Sequence, residues 1–90
     1  MFYFTALSIA GSDCSGGAGI QADIKTMSAL GVYAASVITY VTVQNTLGVE
    51  SLCPIDSYTI ERQIHAVMND IRPMAIKIGM MGNKDTVEAI

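Results

Sequence analysis

Residues able to do chemistry gather at three places in this chain. Gly11-Ser12-Asp13-Cys14-Ser15-Gly16-Gly17-Ala18-Gly19 packs four glycines into nine residues, a density that suits backbone turning sharply or lying against a ligand. Gln44 and Asn45 set two side-chain amides, each with paired donor and acceptor, at the end of an apolar run. Gly79 to Asn83 forms the third place. The first could be a dinucleotide site, because Gly17 to Ala22 satisfies G-x-G-x-x-G/A. That chemistry wants an acid for the ribose hydroxyls at the end of the next strand, and Thr42-Val43-Gln44-Asn45 stands there. Gly11 and Gly16 also begin a P-loop pattern, but Gly17 replaces the phosphate-binding lysine. What is left is a glycine turn whose free backbone N–H groups open a helix and suit an anion or a close-fitting polar ligand. The competing reading is that the glycines only let the helix pack close. Gln44 and Asn45 tilt the balance toward a ligand, since no local turn needs two amides there.

Elements that would position these residues follow from the pattern. Phe2 to Ala10 reads as a strand buried on both faces. Ile20, Ile24, Met27 and Leu30 recur at helical spacing, with Gly31 as the C-terminal stop. Val32 to Val43 is β-branched and free of Gly and Pro, which predicts a second strand. Gly48 to Cys53 is a short extended piece closed by Pro54. Asp56 or Ser57 can cap a helix with the apolar stripe Ile60, Ile64, Val67, Met68 and Ile71, ended by Pro73. Met74 to Met80 predicts a third strand, and Gly82-Asn83 leads into a helix carrying Val87 and Ile90. This alternation predicts the α/β class, with a mostly parallel sheet and crossover helices, and places ligands beyond the carboxyl ends of the strands.

Composition excludes several classes. Of the 90 residues 51% are hydrophobic and 14% charged, and mean hydropathy is +0.43, too apolar for disorder. So low a charged fraction in so short a chain suggests apolar surface that something else covers, and hence the truncated portion of a larger domain. Net charge is −3, and Lys25, Arg62, Arg72, Lys77 and Lys84 form no basic cluster, which argues against a nucleic-acid partner. Cys14 and Cys53 lack metal-ligand spacing, so no metal site is expected and a reduced, cytoplasmic setting is the default. No run reaches bilayer length, and no membrane partner is expected.

Taken together, Ile9-Ala10-Gly11-Ser12-Asp13, Ser15-Gly16-Gly17-Ala18-Gly19-Ile20-Gln21-Ala22-Asp23, Lys25-Thr26 and Ser28-Ala29-Leu30-Gly31 resemble the start of the bacterial hydroxymethylpyrimidine/phosphomethylpyrimidine kinases of thiamine biosynthesis. Ser36-Val37-Ile38-Thr39, Gln44-Asn45-Thr46-Leu47-Gly48-Val49, Asp70-Ile71-Arg72 and Lys77-Ile78-Gly79-Met80 extend the resemblance at matching spacing. It implies a three-layer, ribokinase-like (Rossmann-like) fold, with residues 1–90 as the N-terminal portion of a single kinase domain. The implied activity is ATP-dependent phosphorylation, with Mg2+, of 4-amino-5-hydroxymethyl-2-methylpyrimidine and then its monophosphate, by a cytoplasmic homodimer. The implied pocket consists of Gly11, Asp23, Thr42, Gln44 and Met80. The catalytic base and most of the ATP site are implied to lie in the C-terminal region, leaving no catalytic residue here. Gln44 can pair bidentately with a ring nitrogen and its adjacent amine. Asp23, in the first turn of its helix, would hold the hydroxymethyl group or simply favour the helix N-terminus. Met80 would be an adaptable wall or ordinary core, while His65 and Lys77 read as structural. The chain departs from the family pattern at Cys14 and Thr42. Alternatives are a pyridoxal or pyridoxine kinase, a non-catalytic ligand-binding module and a dinucleotide-binding module.

Overall fold

The computed structural model describes residues 4–79. Met80 and the expected helix after Gly82-Asn83 lie outside the described residues. In chain order the elements are β1 (Phe4–Asp13), α1 (Gly19–Ala29), β2 (Val32–Asn45), β3 (Gly48–Pro54), α2 (Ser57–Asp70) and β4 (Ala75–Ile78). The sheet order is β3-β2-β1-β4. β1 lies parallel to both β2 and β4, while β3 is antiparallel to β2. The α/β class and the mostly parallel sheet are as expected from sequence. The exception is local: β3 follows β2 through a two-residue hairpin between Asn45 and Gly48, which needs no crossover.

Side chains alternate across β1, so its two faces have different partners. Leu7 and Ile9 join Ala35 and Val37 of β2 and Ile60 of α2 in the buried core, with Ile55, Ile64, Val67 and Ile71 packed around it. Ser8 points the other way, toward Asp23 of α1. The two helices therefore cover opposite faces, giving three layers. Full burial of Leu7, Val37 and Ile60 contributes roughly 1.5–3 kcal/mol per side chain. Gln63 of α2 also closes an edge. Its Oε1 accepts from the Ile38 N–H and its Nε2 donates to the Ile38 carbonyl, both at 3.0 Å, where β3 no longer pairs with β2.

Termini follow the expected local chemistry. Asp56 caps α2 by accepting from the Thr59 N–H at 2.9 Å. Gly31, at φ +77°, follows α1 in the left-handed region. At the end of α2, Arg72 adopts φ +51°, in the left-handed region, and Pro73 after it keeps the helix from continuing. β1 runs three residues further than the expected strand, taking in Gly11, Ser12 and Asp13. A slip accommodates this: Ala10 pairs with Ile38 but Ser12 with Val41, so β2 spends one extra residue there.

Apolar side chains also face outward, including Leu47, Val49, Leu52, Met74, Ile76 and Ile78, as the composition led us to expect. Among the described residues β4 lies at the edge of the sheet and is exposed along its whole length. No described helix is long and apolar enough to cross a membrane.

Candidate functional site

The carboxyl ends of β1 and β2 meet the glycine turn, and backbone contact explains two of its glycines. Gly11 is buried, and a Cβ there would overlap the Tyr40 ring. Gly19 stands at φ +59°, and a Cβ on it would overlap the Gly11 carbonyl. Helix α1 thus begins directly against the strand it follows, without a side-chain cap at Ala18. At these two positions the packing role is structural.

Asp13 organises the rest of the turn. Its Oδ1 accepts from the Ser15 N–H at 2.9 Å and the Ser15 hydroxyl at 2.7 Å, and its Oδ2 accepts from the Gly17 N–H at 3.0 Å. The Gly16 N–H donates to the Asp13 carbonyl at 3.0 Å. Hydrogen bonding by the Ser15 hydroxyl, with the backbone donors of Ser15, Ala18 and Gly17, holds its pKa below the ordinary carboxylate value against the opposing effect of desolvation. This narrows the expectation of free N–H groups: those of Ser15, Gly16 and Gly17 serve Asp13, while the N-terminus of α1 has no side-chain cap. The turn is therefore a self-satisfied structure at these residues, and within the Gly17-to-Ala22 pattern the Gly17 N–H is already committed.

Around it, further bonds tie strand ends together. Gln21 of α1 accepts from the Asp13 N–H and donates to Ser12 Oγ, both at 2.7 Å. Thr42 is buried, and its hydroxyl donates to the Ser12 carbonyl at 3.0 Å. Its polarity is thus absorbed within the fold. The Cys14 thiol donates to the Gln44 carbonyl at 3.1 Å and accepts from the Gln44 N–H at 3.4 Å, holding the end of β2 against the turn. The half-buried Gln44 side-chain amide has no hydrogen bond among the described residues. Asn45 differs from expectation. Its Oδ1 accepts from the Leu47 N–H at 2.8 Å, a turn-forming role in the β2–β3 hairpin.

Gly11, Thr42 and Gln44 therefore share the strand-end region, whereas Asp23 sits lower. Its Oδ2 accepts from Ser8 Oγ at 2.6 Å and from Lys77 Nζ at 2.9 Å, three residues before Gly11 and so about 10 Å along the strand. The helix starts at Gly19, so Asp23 belongs to its second turn and not its first. Desolvation raises its pKa, but hydrogen bonds from Lys77 and Ser8 and the Lys77 charge outweigh this, and the net shift is downward. Met80 follows Gly79, whose N–H donates to the Ile9 carbonyl at 2.8 Å.

Sequence reasoning passed over Asp13, Ser8, Cys14 and the reach of Lys77. Asp13 had a signal, since Asp before a glycine-rich segment is a habitual turn former. Lys77 had one too, as a lone cation inside the apolar strand Ala75–Ile78.

Solved structures match this architecture closely. The phosphomethylpyrimidine kinase of Clostridium difficile 630 superposes with a TM-score of 0.93 at 51% identity, over 96% of this chain and 37% of that one. The pyridoxal kinase of Staphylococcus aureus, solved in complex with AMP-PCP and pyridoxal, does so with a TM-score of 0.86 at 34% identity, over 96% of this chain and 32% of that one. The fold is that of the ribokinase-like kinases. In sequence, the hydroxymethylpyrimidine/phosphomethylpyrimidine kinase of Bacillus subtilis is 53% identical over 90 residues, all of this chain and 33% of the relative. The profile described as Phosphomethylpyrimidine kinase matches residues 13–90, and the chain belongs to that family. It spans about a third of the length of the curated relatives it matches.

Proposed function

We propose that these residues are the N-terminal portion of a single kinase domain and line its substrate pocket. In that domain the hydroxymethyl oxygen of 4-amino-5-hydroxymethyl-2-methylpyrimidine, and then the phosphate oxygen of its monophosphate, would take the γ-phosphoryl group of ATP. A new O–P bond forms as the bond to the β-phosphate breaks, ADP leaves, and in the first step the hydroxyl proton passes to a base beyond this segment. Gly11, Asp23, Thr42, Gln44 and Met80 remain the proposed substrate-binding set, with a cytoplasmic homodimer as the proposed setting.

One observation carries the substrate choice. Gln44 presents a side-chain amide with no hydrogen bond among the described residues, on a backbone that Cys14 and the hairpin hold from both sides. Such an amide suits a ring nitrogen beside an exocyclic amine. Pyridoxal offers no such pair. ATP, when bound, supplies the phosphoryl group. The N–H groups of Ser15, Gly16 and Gly17 already serve Asp13, and on this reading the sites for ATP and Mg2+ lie mostly beyond this segment, whose part is positioning of the acceptor.

The test is steady-state phosphorylation by the full-length protein with ATP, offering the aminopyrimidine alcohol, its monophosphate and pyridoxal side by side. A kcat/KM preference for the two aminopyrimidines supports the reading. Preference for pyridoxal would replace it with the rival kinase, and turnover of neither would leave a binding module.

A further inference from the structure

Ser8 and Lys77 are register partners on β1 and β4, so their side chains leave the same face of the sheet. Helix α1 lays Asp23 across that row. Both donors meet the same oxygen, Oδ2, with Ser8 Oγ at 2.6 Å and Lys77 Nζ at 2.9 Å. Among the described residues Oδ1 accepts no hydrogen bond. The Asp23 side chain is 18% exposed and that of Lys77 49%, so the carboxylate is the more enclosed partner and depends on its donors for charge compensation. The ammonium also borders the end of β4. A Cβ added at Gly79 would stand 3.3 Å from Lys77 Nζ and 3.0 Å from the Ala10 Cβ. One side chain thus pairs with Asp23 on α1 and adjoins the residue that leads into Met80.

We propose that Lys77 is a positioning residue of the substrate pocket, occupying Oδ2 of Asp23 so that Oδ1 is left in one fixed orientation to accept the substrate's hydroxyl. This rests on the functional reading above. Lys77 itself touches no reacting atom. Its contribution is to hold the carboxylate in one orientation, so that its loss shows in substrate binding and not only in stability.

Lys77→Met in the full-length protein keeps the stem and removes the charge. The KM for the aminopyrimidine alcohol should rise by about tenfold while kcat stays within about twofold, the pattern of lost ground-state binding. Lys77→Arg retains the cation and should bring KM back to within about threefold of wild type. In a double-mutant cycle, Asp23→Asn with Lys77→Met should match Asp23→Asn alone within about twofold, because Lys77 acts through that carboxylate. Lys77→Gln, which removes the charge but keeps a polar side chain, should raise KM in the same direction and carries the test if Lys77→Met does not fold. The proposal is overturned if Lys77→Met lowers the melting temperature at unchanged KM, or if its effect adds in full to that of Asp23→Asn. Should the wild type use pyridoxal instead, the functional reading fails, and the same cycle run on pyridoxal still decides the role of Lys77.

Discussion

Gln44→Met in the full-length protein separates binding from folding. The substitution keeps side-chain length and removes both polar atoms. Backbone geometry at this position does not depend on the amide, because Gln44 pairs with Val49 across the hairpin and both its N–H and its carbonyl bond the Cys14 thiol. No described donor or acceptor is stranded by the change, so stability should move by no more than about 0.5 kcal/mol, as at an ordinary surface site. Binding should move far more. A bidentate amide contact to a ring nitrogen and its neighbouring amine is worth about 1–3 kcal/mol of discrimination. The kcat/KM for the aminopyrimidine alcohol should therefore fall by about ten- to a hundred-fold, with pyridoxal spared or improved. Steady-state phosphorylation of both substrates, beside a thermal melt of wild type and variant, reads both quantities. Equal losses on the two substrates would refute the specificity argument. A melting temperature lowered by more than about 5 °C would show instead that the amide supports the fold.

Gln63→Leu should leave the Ile38 N–H and carbonyl unpaired at the outer edge of β2 and cost about 2 kcal/mol, read as a lower denaturant midpoint with unchanged slope. Gly11→Ala drives a methyl group into the Tyr40 ring and should cost about 1–3 kcal/mol by overpacking, with Tyr40→Ala added in the same chain recovering part of the loss. Asp56→Ala removes the α2 cap and should lower the melting temperature modestly at neutral pH. Hydrogen bonds from the Thr59 hydroxyl and N–H hold the Asp56 carboxyl below its ordinary value of 3.8. Its stabilisation is therefore present above that value and lost as pH falls through the lowered folded-state pKa, so melts recorded on acidification should show the gap between wild type and variant closing.

Much of the fold was legible because its signals are local. Asp56, Gly31 and Pro73 mark helix boundaries within a few residues of themselves, and the stripe from Ile60 to Ile71 names the face that α2 buries. The place to search for a site was equally legible, since glycine density and Gln44 are properties of short segments. Other features depended on partners distant in sequence. Asn45 looks like a free amide until β3 folds back and its Oδ1 is seen to serve the Leu47 N–H. The turn N–H groups look available until Asp13, drawn into β1 by a one-residue slip against β2, brings its carboxylate under them. Lys77 looks like a strand residue until parallel pairing sets it beside Ser8 and beneath Asp23, 54 positions earlier in the chain. Sequence by itself determined which residue types stand at the strand ends and where the elements begin and stop. Only the tertiary structure decided which of their polar atoms are already spent, because register and layer packing determine hydrogen-bond partners and neither is a local property of the chain.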